Sequence, residues 1–294
     1  MGVDIKDLVY SQKTSLFSLA GKIIGIDGDN MGYQFLAGIR KDGEPLRDLE
    51  GNITSHLYGA FYRLQKFLVN NVKIVVAFDT KPPEFKIKTI NQRIELRKRT
   101  GLEKFTKEMK DELIELLSAM GIPTFYSKSE AEAQICMLNR IGKINGILSQ
   151  DYDSLLFGGK HIYRNYIDGK ELDYINLDLN LKKLDISREQ LIVLGMLIGT
   201  DYNDGIKNIG PKKAYQLVKE KSIEYLLNII EKENYVDAKA IFEYFLNPPY
   251  EDIEIIFQKP DKDKIIEILV EKHNFSKDKV LSALSEKSNT LFDL

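Results

Sequence analysis

The chain has 294 residues, 43% of them hydrophobic, and a formal net charge of -2, which allows one large soluble domain or two small ones and by itself names no partner. Its longest apolar stretch, Leu191 to Gly199, is too short to cross a bilayer, no export signal opens the chain, and Lys6 stands where a myristoylation signal prefers Ser or Thr. The single Cys136 excludes an internal disulfide or a thiolate cage and fits a reducing compartment, while His56, His161 and His273 are too scattered for a zinc site.

Val3 to Val9 is a short amphipathic segment. The apolar run Ile23 to Ile26 reads as a buried strand ending at Asp27, with Gly28 and a helix carrying Tyr33, Phe35 and Leu36 behind it. Asp29 is read only as a helix-start residue, and His56 is given no role. Ser55 to Val69 carries Leu57, Phe61, Leu64 and Leu68 at helical spacing, and Val72 to Phe78 is a second buried strand, closed by Asp79 ahead of Pro82 and Pro83. Lys107 to Met120 is the next helix, Thr124 to Tyr126 a short extended run, Ala131 to Arg140 a helix, and Gly146 to Ser149 a strand with Asp151 and Asp153 beyond it. Strand, acid, helix in repetition is the pattern of a parallel α/β sheet, whose ligands gather at the carboxyl ends of the strands. The predicted class is therefore α/β, a central, mostly parallel twisted sheet flanked by helices.

Glu130, Glu132, Asp151 and Asp153 bracket one helix and one strand. Carboxylates this dense repel one another unless protons or cations intervene, and hard divalent cations are the usual partners of oxygen ligands. A magnesium site is predicted, to which Asp27 and Asp79 add acids from two other strand ends. Residues i and i+2 of an extended segment point the same way, which aims Asp151 and Asp153 at one place. A helix would splay Glu130 and Glu132, so both reach that place only through the irregular first turn. Each pair alone also has a plain reading, Ser129 and Glu132 as a capping box and the aspartates as strand ends.

From Lys81 to Lys110 ten Lys or Arg residues stand against four Glu, a basic stripe beside an acidic pocket, although a charge run alone is also a solvated helix face. Helix Arg188 to Leu197 leads to Asp201 and then to Gly205, Gly210 and Pro211 ahead of helix Lys212 to Val218. That pattern reads as a helix-turn-helix hairpin in which backbone N–H groups, with Lys207, Lys212 and Lys213, clamp phosphates without reading sequence; the alternative is a surface turn.

These motifs together resemble the flap endonuclease members of the XPG nuclease family, in their archaeal form. The resemblance covers nearly the whole chain: MGV at the start, ITSHLYG at 53–59, FDTKPPEFK at 78–86, MGIP with SEAEAQ, SQDYDSLLFG at 149–158 and GTDYNDGIKNIGPKKA at 199–214. It implies a PIN-like 5′ nuclease core with a helix-two-turn-helix element. By resemblance Asp27, Asp79, Glu130, Glu132, Asp151, Asp153 and Asp201 fall on positions that hold two magnesium ions, directly or through water, with manganese as a substitute. Lys86 and Arg93 fall on the basic residues at the scissile phosphate, and their spacing of seven would put them on one helix face. Tyr33 matches an aromatic that stacks on a base, though its residue-level reading as a core aromatic stays open. Gly2 and the 205–213 hairpin, through Lys207, Gly210, Lys212 and Lys213, match DNA contacts, the hairpin with help from a potassium ion.

The implied activity is magnesium-dependent, structure-specific 5′ cleavage of branched DNA in replication and repair, leaving a 5′ phosphate. The alternatives are a 5′ exonuclease or junction-cutting relative, and a catalytically inert DNA-binding accessory protein. One nuclease domain is expected over 1–284, with an N-terminal region of about 1–102 and an internal region of about 118–250, followed by a tail at 285–294. The tail resembles a truncated sliding-clamp motif, with Leu291 and Leu294 as anchors and Ser288 in place of the usual Gln; otherwise it is a frayed end. The stretch between Arg93 and Met120 is shorter than the family's helical arch, which puts flap threading in question, and Asn208 stands where the hairpin often carries Gly. The expected compartment is the cytoplasm of an archaeal cell, or the nucleus of a eukaryotic one.

Overall fold

The computed structural model describes residues 2–86, 89–91, 95, 99, 103–167 and 171–285. Gln12–Ser15 (β1) leads to Ile23–Asp27 (β2), and the helices Gly28–Gly38 (α1) and Ser55–Val69 (α2) return the chain to Lys73–Phe78 (β3). Lys107–Ala119 (α3) precedes Thr124–Tyr126 (β4), Ala131–Arg140 (α4) precedes Gly146–Leu148 (β5), and the short Asp153–Leu156 (α5) precedes a hairpin of His161–Ile167 (β6) and Glu171–Asn176 (β7). The helices Leu177–Leu184 (α6), Arg188–Ile198 (α7), Pro211–Glu220 (α8), Ile223–Asn234 (α9), Ala238–Leu246 (α10), Lys262–Ile266 (α11) and Lys277–Ser285 (α12) follow. Among the described residues no helix is long and apolar enough to cross a membrane.

One sheet runs in the order β1-β7-β6-β5-β2-β3-β4. Its strands β6, β5, β2, β3 and β4 are parallel neighbours, and β7 is antiparallel to both strands beside it. This is the mostly parallel α/β class that the sequence predicts. The chain steps outward from β2 to β3 and β4, then returns to the other side of β2 with β5. Such a reversal opens a crevice at the carboxyl ends of the strands on either side of it.

Both faces of the sheet are covered, which is why β3 is apolar from Ile74 to Phe78 rather than alternating. Val75 and Ala77 face a core that includes Ile135, Phe157 and Leu194, while Ile74, Val76 and Phe78 face a second one that includes Leu57, Phe61 and Leu113. Burying each large side chain fully contributes roughly 1.5–3 kcal/mol. A Cβ at Gly25 would lie 2.5 Å from Ile135 Cγ2, so the small residue in β2 lets α4 approach the sheet closely. Phe61 on α2 is fully buried, and Phe61→Ala is expected to cost about 3–5 kcal/mol. Urea unfolding measures that loss.

Two features differ from the sequence reading. Val3 to Val9 forms turns rather than a regular amphipathic element, with Val3 and Ile5 buried in the core. The polar edge strand β1 and the hairpin β6–β7 have no counterpart in the predicted elements, because β1 is mostly exposed and lacks an apolar run. The residues of the 285–294 tail beyond Ser285, including Leu291 and Leu294, lie outside the described residues, as does Arg93.

Candidate active site

Asp27, Asp79, Glu130, Glu132, Asp151, Asp153 and Asp201 all line one cavity of roughly 360 Å3, together with Asp29, Asn30, Tyr33, Lys86 and Tyr202. The acids come from five chain segments at the carboxyl edge of the parallel strands. Strand pairing explains part of this convergence. Asp27 ends β2 and pairs in register with Ala77, two residues before Asp79, while β5 runs parallel on the other side of β2 and leads to Asp151.

Each carboxylate has a distinct support. Asp27 caps α1 by accepting the Asn30 N–H at 2.9 Å, and the Asn30 side-chain amide donates to Asp151 Oδ2 at 3.2 Å. Asp79 Oδ1 accepts the Ala131 N–H at 2.7 Å, so the acid that follows β3 caps the helix that carries Glu130 and Glu132. Glu130 is the N-cap of α4 with extended backbone (φ -106°, ψ 139°) and Glu132 lies in the first turn. That change of conformation lets two residues of i, i+2 spacing reach one cavity, as predicted. The capping-box alternative is not what forms: Ser129 Oγ lies 3.0 Å from Tyr244 Oη, and Glu132 Oε1 accepts from Ser149 Oγ at 3.2 Å and from Ser154 Oγ.

The geometry predicted for Asp151 and Asp153 needs correction. Asp153 begins the short helix α5, and Tyr152 before it has helical dihedrals (φ -81°, ψ -8°), so the pair is not on an extended strand. Asp153 still enters the cavity because the N-terminal segment holds it, with the Val3 N–H donating to Asp153 Oδ1 at 2.7 Å. Gly2 lies against the same acids, and a Cβ there would stand 3.1 Å from Asp153 and 3.2 Å from Asp151. Asp201 follows α7, and its carbonyl accepts from Thr89 Oγ1 at 2.5 Å.

Lys86 ends a short 3-10 turn, Glu84–Lys86, rather than an α-helix, so the one-face relation to Arg93 has no support at the Lys86 end. Its ammonium contacts Glu130 Oε1 and lies 3.6 Å from Asp201 Oδ2. Burial alone would lower the Lys86 pKa, but Glu130 and Asp201 beside it hold it well above the usual lysine range. The other Glu130 oxygen accepts from Tyr202 Oη at 2.6 Å and Tyr244 Oη at 2.8 Å. Neither tyrosine was identified from the sequence; adjacency to Asp201 was the only signal for Tyr202, and Tyr244 carried none. Tyr33 sits on α1, edge-on to Phe105 at 5.7 Å between ring centroids, at the cavity wall.

Asp29 is more than a helix-start residue. Its Oδ2 accepts the Asp79 N–H at 2.8 Å and pairs with Lys110 Nζ at 2.9 Å. His56, by contrast, is buried away from the cavity, 3.4 Å from Glu112.

The crowding shows in the acidities. Burial, then the neighbouring Asp79, raises the Asp27 pKa well above the carboxylate range, and burial, then Asp151 and Asp153, does the same for Glu132. Burial pushes Asp79 up to about 6 against the pull of the Ala131 N–H, and burial, then Asp201, pushes Asp153 up to about 7. A carboxyl whose folded pKa exceeds its unfolded value stabilises the fold below the unfolded pKa, and that contribution is lost as pH rises through the folded value. The metal-free protein is therefore expected to lose thermal stability between about pH 5 and 8, by on the order of 5 °C. Thermal unfolding with a chelator across that range checks the sign.

The donor set fits hard divalent cations, being oxygen-rich, buried and short of compensating charge. Among the described residues, however, no three acidic, histidine or cysteine side chains stand in a ready metal-holding group. Lys86 contacts Glu130, and the Asn30 amide, the Val3 N–H and two serine hydroxyls contact Asp151, Asp153 and Glu132.

Beside the cavity, α7 and α8 form the hairpin. Gly205 has φ +76°, and a Cβ there would lie 2.1 Å from the Ile198 carbonyl oxygen. Asn208 also adopts a left-handed conformation, φ +64°, which asparagine tolerates better than most residues. The substitution for Gly therefore leaves the turn intact. Gly210 is the N-cap of α8 with Pro211 at its first position, and Lys207, Gly210, Lys212 and Lys213 are exposed.

The class of the molecule is that of an α/β nuclease. Residues 4–100 match the XPG N-terminal domain and residues 121–201 the XPG I-region. The chain is 39% identical to flap endonuclease 1 of Picrophilus torridus over 98% of its own length and 96% of the relative's, and 42% identical to that of Staphylothermus marinus over 97% and 93%. Its structure superposes on flap endonuclease-1 from Methanococcus jannaschii with a TM-score of 0.83 at 32% identity, covering 97% of each chain. It also superposes on the catalytic core of Rad2 in complex with DNA substrate, with a TM-score of 0.80 at 26% identity, over 97% of this chain and 99% of that one. The chain belongs to the flap endonuclease group of the XPG family.

Proposed function

We propose that the chain is a magnesium-dependent, structure-specific 5′ nuclease that hydrolyses one phosphodiester at branched DNA, at 5′ flaps above all, in replication and repair. The observation that carries this reading is the convergence of Asp27, Asp79, Glu130, Glu132, Asp151, Asp153 and Asp201 with the partly buried Lys86 in a single cavity. Two magnesium ions held by those acids, directly or through water, would supply an activated water and stabilise the leaving oxygen, with manganese as a substitute. Lys86 and Arg93 neutralise charge on the phosphoryl oxygens. Lys86 pairs with Glu130, so a shift of Lys86 toward the phosphate would leave that Glu130 oxygen available for ligation.

Tyr33 at the cavity wall offers a ring face to a base. Gly2, against Asp151 and Asp153, lets backbone approach the DNA closely. The N-terminus of α8, with Lys207, Gly210, Lys212 and Lys213, grips duplex phosphates without base readout, and a potassium ion would be held at that hairpin. Residues 1–284 act as one nuclease domain in the cytoplasm, and Leu291 and Leu294 of the tail engage a sliding clamp.

One observation favours a broader substrate range as a second reading. The alignment with the Picrophilus protein runs over 323 positions against 294 residues in this chain, so that relative contains positions this chain lacks. Placed in the stretch before Met120, the deficit would shorten the arch and favour exonuclease or junction cutting. Mapping products on flap, nicked and four-way-junction DNA with magnesium separates the readings. Cleavage at the flap base with a 5′ phosphate supports the first; preference for the nick or the four-way junction supports the second; tight binding without cleavage leaves an inert DNA-binding protein.

A further inference from the structure

The reading above gives no task to Asp29 or Lys110, yet both reach the same residue. Asp29 Oδ2 accepts the Asp79 N–H at 2.8 Å, and Lys110 Nζ donates to the Asp79 carbonyl oxygen at 3.3 Å. The two side chains join each other at 2.9 Å. Asp79 is the first residue past β3, beyond the ladder that fixes Phe78 opposite Tyr126, so its backbone depends on side chains for its hydrogen bonds. The clamp is itself held in place: Lys110 lies 5.3 Å from the Phe78 ring centroid and 5.5 Å from that of Tyr126. Both charged side chains are mostly buried, at 16% and 20% exposure, so solvent screens them less than a surface pair.

Three elements meet here. Asp29 is in the first turn of α1, two residues after Asp27, Lys110 is in the first turn of α3, and Asp79 follows β3. We infer that Asp29 and Lys110 are a positioning pair that clamps the Asp79 backbone from both sides and so fixes where its carboxylate stands in the cavity. With its backbone fixed and one oxygen held by the Ala131 N–H, Asp79 keeps its other oxygen aimed for ligation. Groups that orient a metal ligand typically change affinity by about 10-fold or more when removed. This inference rests on the proposed metal-binding role of Asp79.

The test compares Asp29→Ala, Asp29→Asn, Lys110→Met and the Asp29→Ala/Lys110→Met double variant in the full chain. Two readouts are taken: the magnesium midpoint of thermal stabilisation without DNA, and the magnesium midpoint of single-turnover cleavage. DNA affinity is measured separately in calcium. Asp29→Ala and Lys110→Met are each expected to raise both midpoints about 10-fold with DNA affinity unchanged. Asp29→Asn keeps an acceptor for the Asp79 N–H and should recover most of the loss, and the double variant should be little worse than the worse single one because the pair acts as a unit. If Lys110→Met has no effect while Asp29→Asn is as damaging as Asp29→Ala, Asp29 is itself a ligand and the inference fails. Unchanged midpoints in all variants would overturn it equally, whereas the absence of any magnesium response in the unaltered protein would refute the metal reading beneath it.

Discussion

Replacing Asp153 with Ala is expected to all but abolish cleavage of a flap substrate in magnesium while leaving DNA affinity within a few-fold of its original value. Asp153 is buried at the centre of the acid cavity, held by the Val3 N–H, with its pKa pushed up to about 7 by burial and by Asp201. A ligand that fixes a catalytic cation supplies several kcal/mol of transition-state stabilisation, so the rate should fall by a factor of at least about 1,000. Binding should survive because the removed group is negative, as is DNA. The substitution also takes one member from a mutually repulsive cluster, so the metal-free variant should be no less stable near pH 8 than the unaltered protein. Rapid-quench cleavage, with fluorescence anisotropy in calcium, gives both quantities; turnover retained within 10-fold would remove Asp153 from the ligand set.

Replacing Lys86 and Arg93 with Ala is expected to slow the cleavage step by about 100–1,000-fold and to weaken DNA binding far less. The physical reason is where the Lys86 charge sits: it is enclosed among Glu130 and Asp201 rather than displayed on the surface. A charge so enclosed meets DNA only at a phosphate that has entered the cavity. Losses that are equal in single-turnover rate and in affinity would assign the two residues to general backbone binding instead. Among the described residues the Lys86→Ala change also leaves Glu130 with its two tyrosine hydroxyls, and removing one partner of a buried pair can cost about 3–5 kcal/mol. Lys86→Arg is therefore the companion variant, keeping the charge while changing its shape. Folding of each variant is checked by thermal unfolding before rates are compared.

The parts of the site that were legible in the sequence are those set by local patterning. A buried parallel strand must be a continuous apolar run, so its end is marked wherever a polar residue closes the run. Asp27 after Ile26 and Asp79 after Phe78 are marked in that way. Glu130 and Glu132 were legible because a helix start has a recognisable sequence, and their first-turn geometry is what the structure contains. Asp151 and Asp153 were legible in position but not in geometry, since a helical Tyr152 looks no different in sequence from an extended one. Asp29 is the helix-start residue the sequence suggests, but nothing about a residue two places past a strand end shows that its side chain turns back to the next strand.

By itself the sequence determined the α/β class, the strand ends that carry acids, the lysine-flanked hairpin and, through its spaced motifs, the family. Only the tertiary structure decided which group each acid faces: Lys86 and two tyrosines for Glu130, the Asp29–Lys110 pair for Asp79, and the N-terminal backbone for Asp153. Those partners lie far away along the chain, 150 residues for Val3 and Asp153 and 114 for Tyr244 and Glu130. Local propensity acts over a few residues, whereas a contact between such distant groups exists only once both faces of the sheet are packed and the helices have settled at fixed distances from it.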